Sequence, residues 1–218
     1  MIWKPLGKSV RNTCCTQISN SMEALKSIDL DIFFWINGHH TPFLDAVMYP
    51  LTHIGYWLPL ILLALFFLFR HYSKKTWVPL LLFALCILCT DRTSVMIKNM
   101  VQRPRPTHNT EIMERVHVHT FADGSEYRGG HYSFPSSHAA NSFGLMVLLI
   151  AFFRPVTRHA WWIFPLWALV FCYTRMYLGV HYPSDIFCGA LLGLICGSMI
   201  LLLYRLGSRI RKRQIDNQ

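Results

Sequence analysis

The chain reads as an all-α, polytopic membrane helix bundle, and three observations carry that expectation. Of its 218 residues, 53% are hydrophobic, a high share for a soluble domain. The apolar residues gather into runs at 54–69, 77–90, 133–153, 160–174 and 186–204 that contain no Asp, Glu, Lys or Arg. The basic excess, net charge +10, sorts into the connections between those runs.

Taken in order, residues 1–27 read as an N-terminal tail. Lys4, Lys8 and Arg11 are followed by no apolar core, so no cleavable signal peptide is expected. Residues 28–53 are too polar to span comfortably. They suit an interfacial amphipathic segment, with Trp35 in the headgroup zone, or a bent sixth element. Residues 54–206 form the core of five transmembrane helices. The runs 133–153 and 186–204 approach the ~20 residues needed to cross hydrocarbon. The first run lengthens back to Pro50, and the second continues through Asp91 and Arg92 to Ile97. Residues 99–132 form a connection long enough to expect a lid or a substrate contact, and 207–218 a basic tail.

Arg70, Lys74 and Lys75 follow the first run, Arg154 and Arg158 the third, and Arg205 through Arg213 the fifth. The positive-inside tendency makes these places cytoplasmic. That accounts for the basic excess, so the bilayer is the expected partner and nucleic acid is not. Alternating spans then put 98–132 and 175–185 on the outward face, with His138 at the outer start of the third span. Of the seven cysteines, Cys86, Cys89, Cys172, Cys188 and Cys196 lie within apolar runs and read as small hydrophobes.

Polar residues at the outward ends of the spans fall into three blocks. His181 and Asp185 are separated by one helical turn, with Pro183 between them, so the fifth span starts near that proline. Asp185 can reach one imidazole nitrogen of His181 and leave the other as a nucleophile. Arg175, just before them, can grip two phosphate oxygens in one plane. Ser136, Ser137 and His138 open the third span, where unpaired N–H groups favour an anion. His138 can protonate a leaving group as general acid. Lys98 ends the second span and Arg105 follows between Pro104 and Pro106; both can face the same pocket. Separately, each block has a bland reading: an interfacial ion pair, an N-cap, a snorkelling anchor. Together, three cations, two histidines and a carboxylate on one face describe a phosphoryl-transfer site.

The pattern K-x6-R-P, P-S-[GS]-H, [ST]-R-x5-H-x3-D is similar to the three-part signature of the type 2 phosphatidic acid phosphatase superfamily. The motifs cover residues 98–185, and the helical layout extends the resemblance through Tyr204. Ser137 stands where glycine is more usual, adding bulk beside the phosphate, and Thr174 where serine is. The resemblance implies that His181 forms a phosphohistidine with Asp185 as its partner, and that His138 protonates the leaving group. Lys98, Arg105, Ser136, Ser137 and Arg175 would bind phosphate. Water would then release the phosphate, with no metal and no cofactor. His108, His117, His119 and His131 match no familiar zinc spacing.

The expected activity is hydrolysis of a lipid phosphate or diphosphate at the periplasmic face of a bacterial inner membrane. Undecaprenyl diphosphate is the leading guess, with lipid A phosphate and phosphatidylglycerol phosphate as alternatives. A lipid phosphotransferase and an anion-binding transporter are the rival readings.

Overall fold

A computed structural model describes residues 8–216. Helix α1 spans Lys8–Gly38, α2 Pro42–Met48, α3 Ile54–Tyr72, α4 Trp77–Val101, α5 Ser137–Phe153, α6 Ala160–Tyr177 and α7 Pro183–Asp216. No strand interrupts them among the described residues; two isolated bridges, Pro104 with Tyr132 and Thr120 with Glu126, tie the long loop to itself.

The N-terminal region differs from the expectation. Instead of a tail followed by one segment over 28–53, α1 runs from the expected tail into that segment without a break, because no Pro or Gly interrupts the chain from Lys8 to Asn37. It stops at Gly38. Thr41 then accepts a hydrogen bond from Leu44 N–H, and Pro42 occupies the first turn, so a new helix starts at once. At the other end the expected tail 207–218 is helical to Asp216, since the lone Gly207 is too weak a breaker to stop α7. Residues 1–7 and 217–218 of the two expected tails lie outside the described residues.

Among the described residues, three helical stretches are long and apolar enough to cross a bilayer: Gly55–Lys75, Trp77–Val101 and Pro183–Asp216. Five crossings were expected. Helix α5 is apolar but has 17 residues, because Ser136 caps it and shortens the uncharged run by its first four positions. Helix α6 has 18 residues, several of them Trp and Tyr.

Helix α5 lies at the centre, packed on α4, α6 and α7. Its seam with α7 is built from small residues. A Cβ added to Gly189 would meet Ser136 O at 2.4 Å, one on Gly193 would meet Ala140 O at 2.2 Å, and one on Gly197 would meet Gly144 O at 2.6 Å. The two backbones therefore touch along three turns, as small-x3-small faces allow. Behind this seam, Leu68, Cys86, Leu148, Phe152 and Ile200 form the apolar core away from the polar blocks. The antiparallel order of α4 to α7 brings the C-terminal ends of α4 and α6 beside the N-terminal ends of α5 and α7.

Candidate active site

Each polar block takes its position from a helix end. Helix α4 stops because Gln102 adopts the left-handed conformation, φ 51°, and its N–H closes on Lys98 O. The chain then runs extended through Arg103-Pro104-Arg105 and pairs with the segment ahead of α5. Arg105 N–H donates to His131 O at 3.1 Å, and Ser133 N–H to Arg103 O at 2.8 Å. Arg105 also donates through Nε to Tyr132 O at 3.2 Å. Gly129, at φ +69°, leaves the space this guanidinium needs: a Cβ there would lie 2.6 Å from Arg105 Nη1.

At the start of α5, Ser136 Oγ accepts from Ala139 N–H at 3.3 Å, while Ser136 N–H donates to Asp185 O at 3.0 Å. The second bond ties this block to the start of α7. Ser137 corrects one expectation. Its hydroxyl does not crowd the pocket but shares a hydrogen bond with Ser94 Oγ of α4 at 2.7 Å. Both serine oxygens thus have a protein partner. What the turn offers an anion is its backbone, since the Ser137 and His138 N–H groups have no carbonyl one turn back. The His138 ring is half-buried, 5.8 Å from that of Phe171.

Helix α6 ends on Arg175, which is 1% exposed and donates through Nη2 to Tyr127 OH at 3.0 Å. His181 and Asp185 are fully buried. The His–Asp pairing is looser than expected: His181 Nδ1 lies 3.6 Å from Asp185 Oδ2, beyond hydrogen-bond reach. Asp185 is held by other donors. Oδ2 accepts Tyr182 N–H at 2.8 Å, and Oδ1 accepts Arg103 Nη1 at 2.8 Å. Arg103, in the same R-P-R-P stretch as Arg105, is a site residue that sequence reasoning passed over.

The charges of Lys98, Arg105 and Arg175 all act on His181, and the same three act on His138. These five residues therefore share one locus, and Asp185, beside His181, joins it to the start of α5 through Ser136. Burial and those three cations hold the His181 imidazole well below the usual histidine range, so it is neutral at physiological pH. Burial, then the neighbouring Arg175, pushes Arg105 down to about 10, which leaves it charged at neutral pH. Several buried polar atoms here have no protein partner: Arg105 Nη1, Arg175 Nε and Nη1, and both ring nitrogens of His181. Buried donors without partners are rare and costly. A cluster of them around a neutral imidazole is what a bound oxyanion would complete.

Residues 77–209 match the PAP2 superfamily. The chain belongs to it. Among PAP2 relatives, a lipid A 4'-phosphatase of Bacteroides thetaiotaomicron is 36% identical over 79% of this chain and 75% of its own length. A phosphatidylglycerophosphatase B of Bacillus subtilis is 30% identical over 71% and 72%. The crystal structure of Aquifex aeolicus LpxE superimposes with a TM-score of 0.60 at 29% identity, over 79% of this chain and 93% of that one. The chain is thus a membrane lipid phosphatase of the PAP2 superfamily, a phosphoric ester hydrolase.

Among the described residues, the group with metal-ligand spacing is His40 and Asp45, at and just before α2, with His117 of the long α4–α5 connection. Asp45 Oδ1 accepts from Tyr177 OH at 2.7 Å and pairs with His117 Nε2 at 2.8 Å. Burial raises its carboxyl, but those two bonds together with the adjacent His117 and His40 hold it below the usual range. The PAP2 histidines take no part in this cluster.

Proposed function

We propose that the protein hydrolyses a lipid phosphate monoester through a phosphohistidine on His181. The carrying observation is the set of unpartnered buried nitrogens on Arg105, Arg175 and His181. Asp185 lies on the Nδ1 side of the ring, which leaves Nε2 as the attacking atom. Its lone pair forms the N–P bond as the ester P–O bond breaks, and His138 gives its proton to the departing alkoxide. Arg105, Arg175 and Lys98 neutralise the charge on the phosphoryl oxygens in flight, with the Ser137 and His138 amides as further donors. Water then attacks phosphorus, His138 takes its proton, and inorganic phosphate leaves with His181 regenerated.

The core crosses the inner membrane five times, with α5 and α6 as short spans and α5 at the centre of the bundle, and the site lies on the periplasmic side. The sequence's charge asymmetry supports that orientation. Exposed Trp77, Trp161 and Trp162 lie at the opposite ends of α4 and α6, where an aromatic belt is expected. Met22, Leu25, Ile28, Ile32 and Trp35 leave an exposed apolar stripe along α1, which supports an interfacial seat for it. For the substrate, the relatives favour the expected alternatives over undecaprenyl diphosphate. Lipid A phosphate comes first, being the substrate in the name of the 36%-identical relative, and phosphatidylglycerol phosphate second. A phosphate-release screen over lipid A, phosphatidylglycerol phosphate, phosphatidic acid and undecaprenyl diphosphate tests this. Release from lipid A that is absent in His181→Ala supports the reading. Equal release by the variant, or release from undecaprenyl diphosphate alone, contradicts the nucleophile or the substrate respectively.

A further inference from the structure

One side chain of α1 does not fit an interfacial helix. Asp29 is 9% exposed and points away from the apolar stripe, into the start of α7. Its Oδ1 accepts Ser184 N–H at 2.8 Å, and its Oδ2 accepts Ser184 Oγ–H at 2.6 Å and Arg103 Nη2 at 2.7 Å. Ser184 sits in the first turn of α7, where its N–H has no intrahelical partner and a carboxylate is favoured. Arg103 is forked between two acids: Nη2 on Asp29, Nη1 on both Asp185 Oδ1 and Ser184 Oγ. Its face rests on the Tyr182 ring, 3.9 Å from the centroid, and Tyr182 OH is held in turn by Asn109 Nδ2 at 3.1 Å. Both carboxylates and both terminal nitrogens of Arg103 are hydrogen-bonded, in contrast to the unpartnered nitrogens beside them.

Asp29 lies outside residues 77–209, the stretch that carries the family match. We propose that Asp29 is a positioning residue: through Arg103 and Ser184 it fixes Asp185 against His181, so that α1 completes the active site. Without it, Arg103 would have a single carboxylate partner and would be free to swing toward solvent, to which its side chain is already 29% open. Asp185 would then lose its fixed distance from the imidazole. This rests on the reading of His181 and Asp185 as the reacting pair.

The test is a double-mutant cycle on the detergent-purified full chain, with phosphate release from a lipid phosphate as the assay. Asp29→Asn keeps the volume and removes the charge that grips Arg103. It is expected to lower kcat on the order of tenfold, the scale of a sub-ångström misplacement, with KM changed less than about twofold. In an Asp185→Asn background the same substitution should cost less than about twofold, because the group it positions is gone. Arg103→Lys, which keeps a positive charge but loses the fork between Asp29 and Asp185, runs the same cycle should Asp29→Asn not fold. Wild-type kcat in Asp29→Asn overturns the proposal, as does an equal loss in both backgrounds, which marks a merely structural role. Full activity in Asp185→Asn overturns instead the catalytic reading beneath it, whatever Asp29→Asn does.

Discussion

Gly193→Ala tests whether the small-residue seam sets the geometry of the site. The added Cβ would lie 2.2 Å from Ala140 O and 2.8 Å from Gly144 N, both backbone atoms of α5 that cannot turn aside. Restoring ordinary contact requires α5 and α7 to part by about 1 Å, because a close-packed seam has no slack. The displacement reaches the site directly. Helix α5 opens at Ser136-Ser137-His138 and the first turn of α7 carries Asp185, and the two are joined by the 3.0 Å bond from Ser136 N–H to Asp185 O. A misplacement of about 1 Å is worth about 10²-fold in rate, or about 2.7 kcal/mol of barrier. The packing cost to stability is about 1–3 kcal/mol. Gly193 lies roughly 12 Å along α7 from Asp185 by helical rise, so no direct contact with substrate confuses the result. The assay is kcat for phosphate release, with thermal unfolding measured in the same detergent. Gly207→Ala is the control, on the same helix, where a Cβ meets nothing within 4 Å. A folded Gly193→Ala protein with kcat within about twofold of wild type would refute the link between seam and site.

Arg175→Lys should lower kcat/KM by at least about 10²-fold in steady-state assays, because an ammonium cannot replace the fork that reaches both Tyr127 and the unpartnered space. Stability should fall as pH drops from 7 to 5. His181 is neutral when folded, its proton affinity depressed by burial and by Arg105, Arg175 and Lys98, so the unfolded chain binds a proton the folded chain does not. Melting curves should show a smaller acid loss in His181→Gln, and an unchanged loss would contradict the assignment. Vanadate or phosphate, binding the folded site, should raise the melting temperature of wild type and not of a variant lacking Arg105 and Arg175. Dialysis against a chelator should leave turnover unchanged, because three cations surround His181 and Arg103 occupies Asp185, the carboxylate beside it.

Much of the site was legible because its parts interrupt apolar runs. Lys98, His138, Arg175, His181 and Asp185 stand out at the ends of uncharged segments, where polar groups have few structural reasons to agree in spacing. Arg103 was passed over, since nothing local marks it out beside Arg105; its role shows only in the hydrogen bonds to Asp29 and Asp185. The spacing of Gly189, Gly193 and Gly197 carries a packing signal, yet its facing residues Ser136, Ala140 and Gly144 become apparent only once α5 and α7 are side by side. Asp29 was out of reach, because its partner Ser184 is 155 residues away and its surroundings read as an amphipathic surface helix. The 3.6 Å separation of His181 and Asp185 was hidden too: residue spacing allows the contact, and the competing Arg103 and Tyr182 donors decide otherwise.

Attack by His181 on phosphorus is most directly tested by trapping the phosphoenzyme. Wild-type protein is mixed with excess lipid phosphate, quenched in alkali within one turnover, and mapped by mass spectrometry. The predicted result is an alkali-stable, acid-labile phosphate on the His181 imidazole, absent in His181→Ala and accumulating in variants slowed in the hydrolytic step. Turnover with no phosphoenzyme, or phosphate carried on another residue, would contradict it.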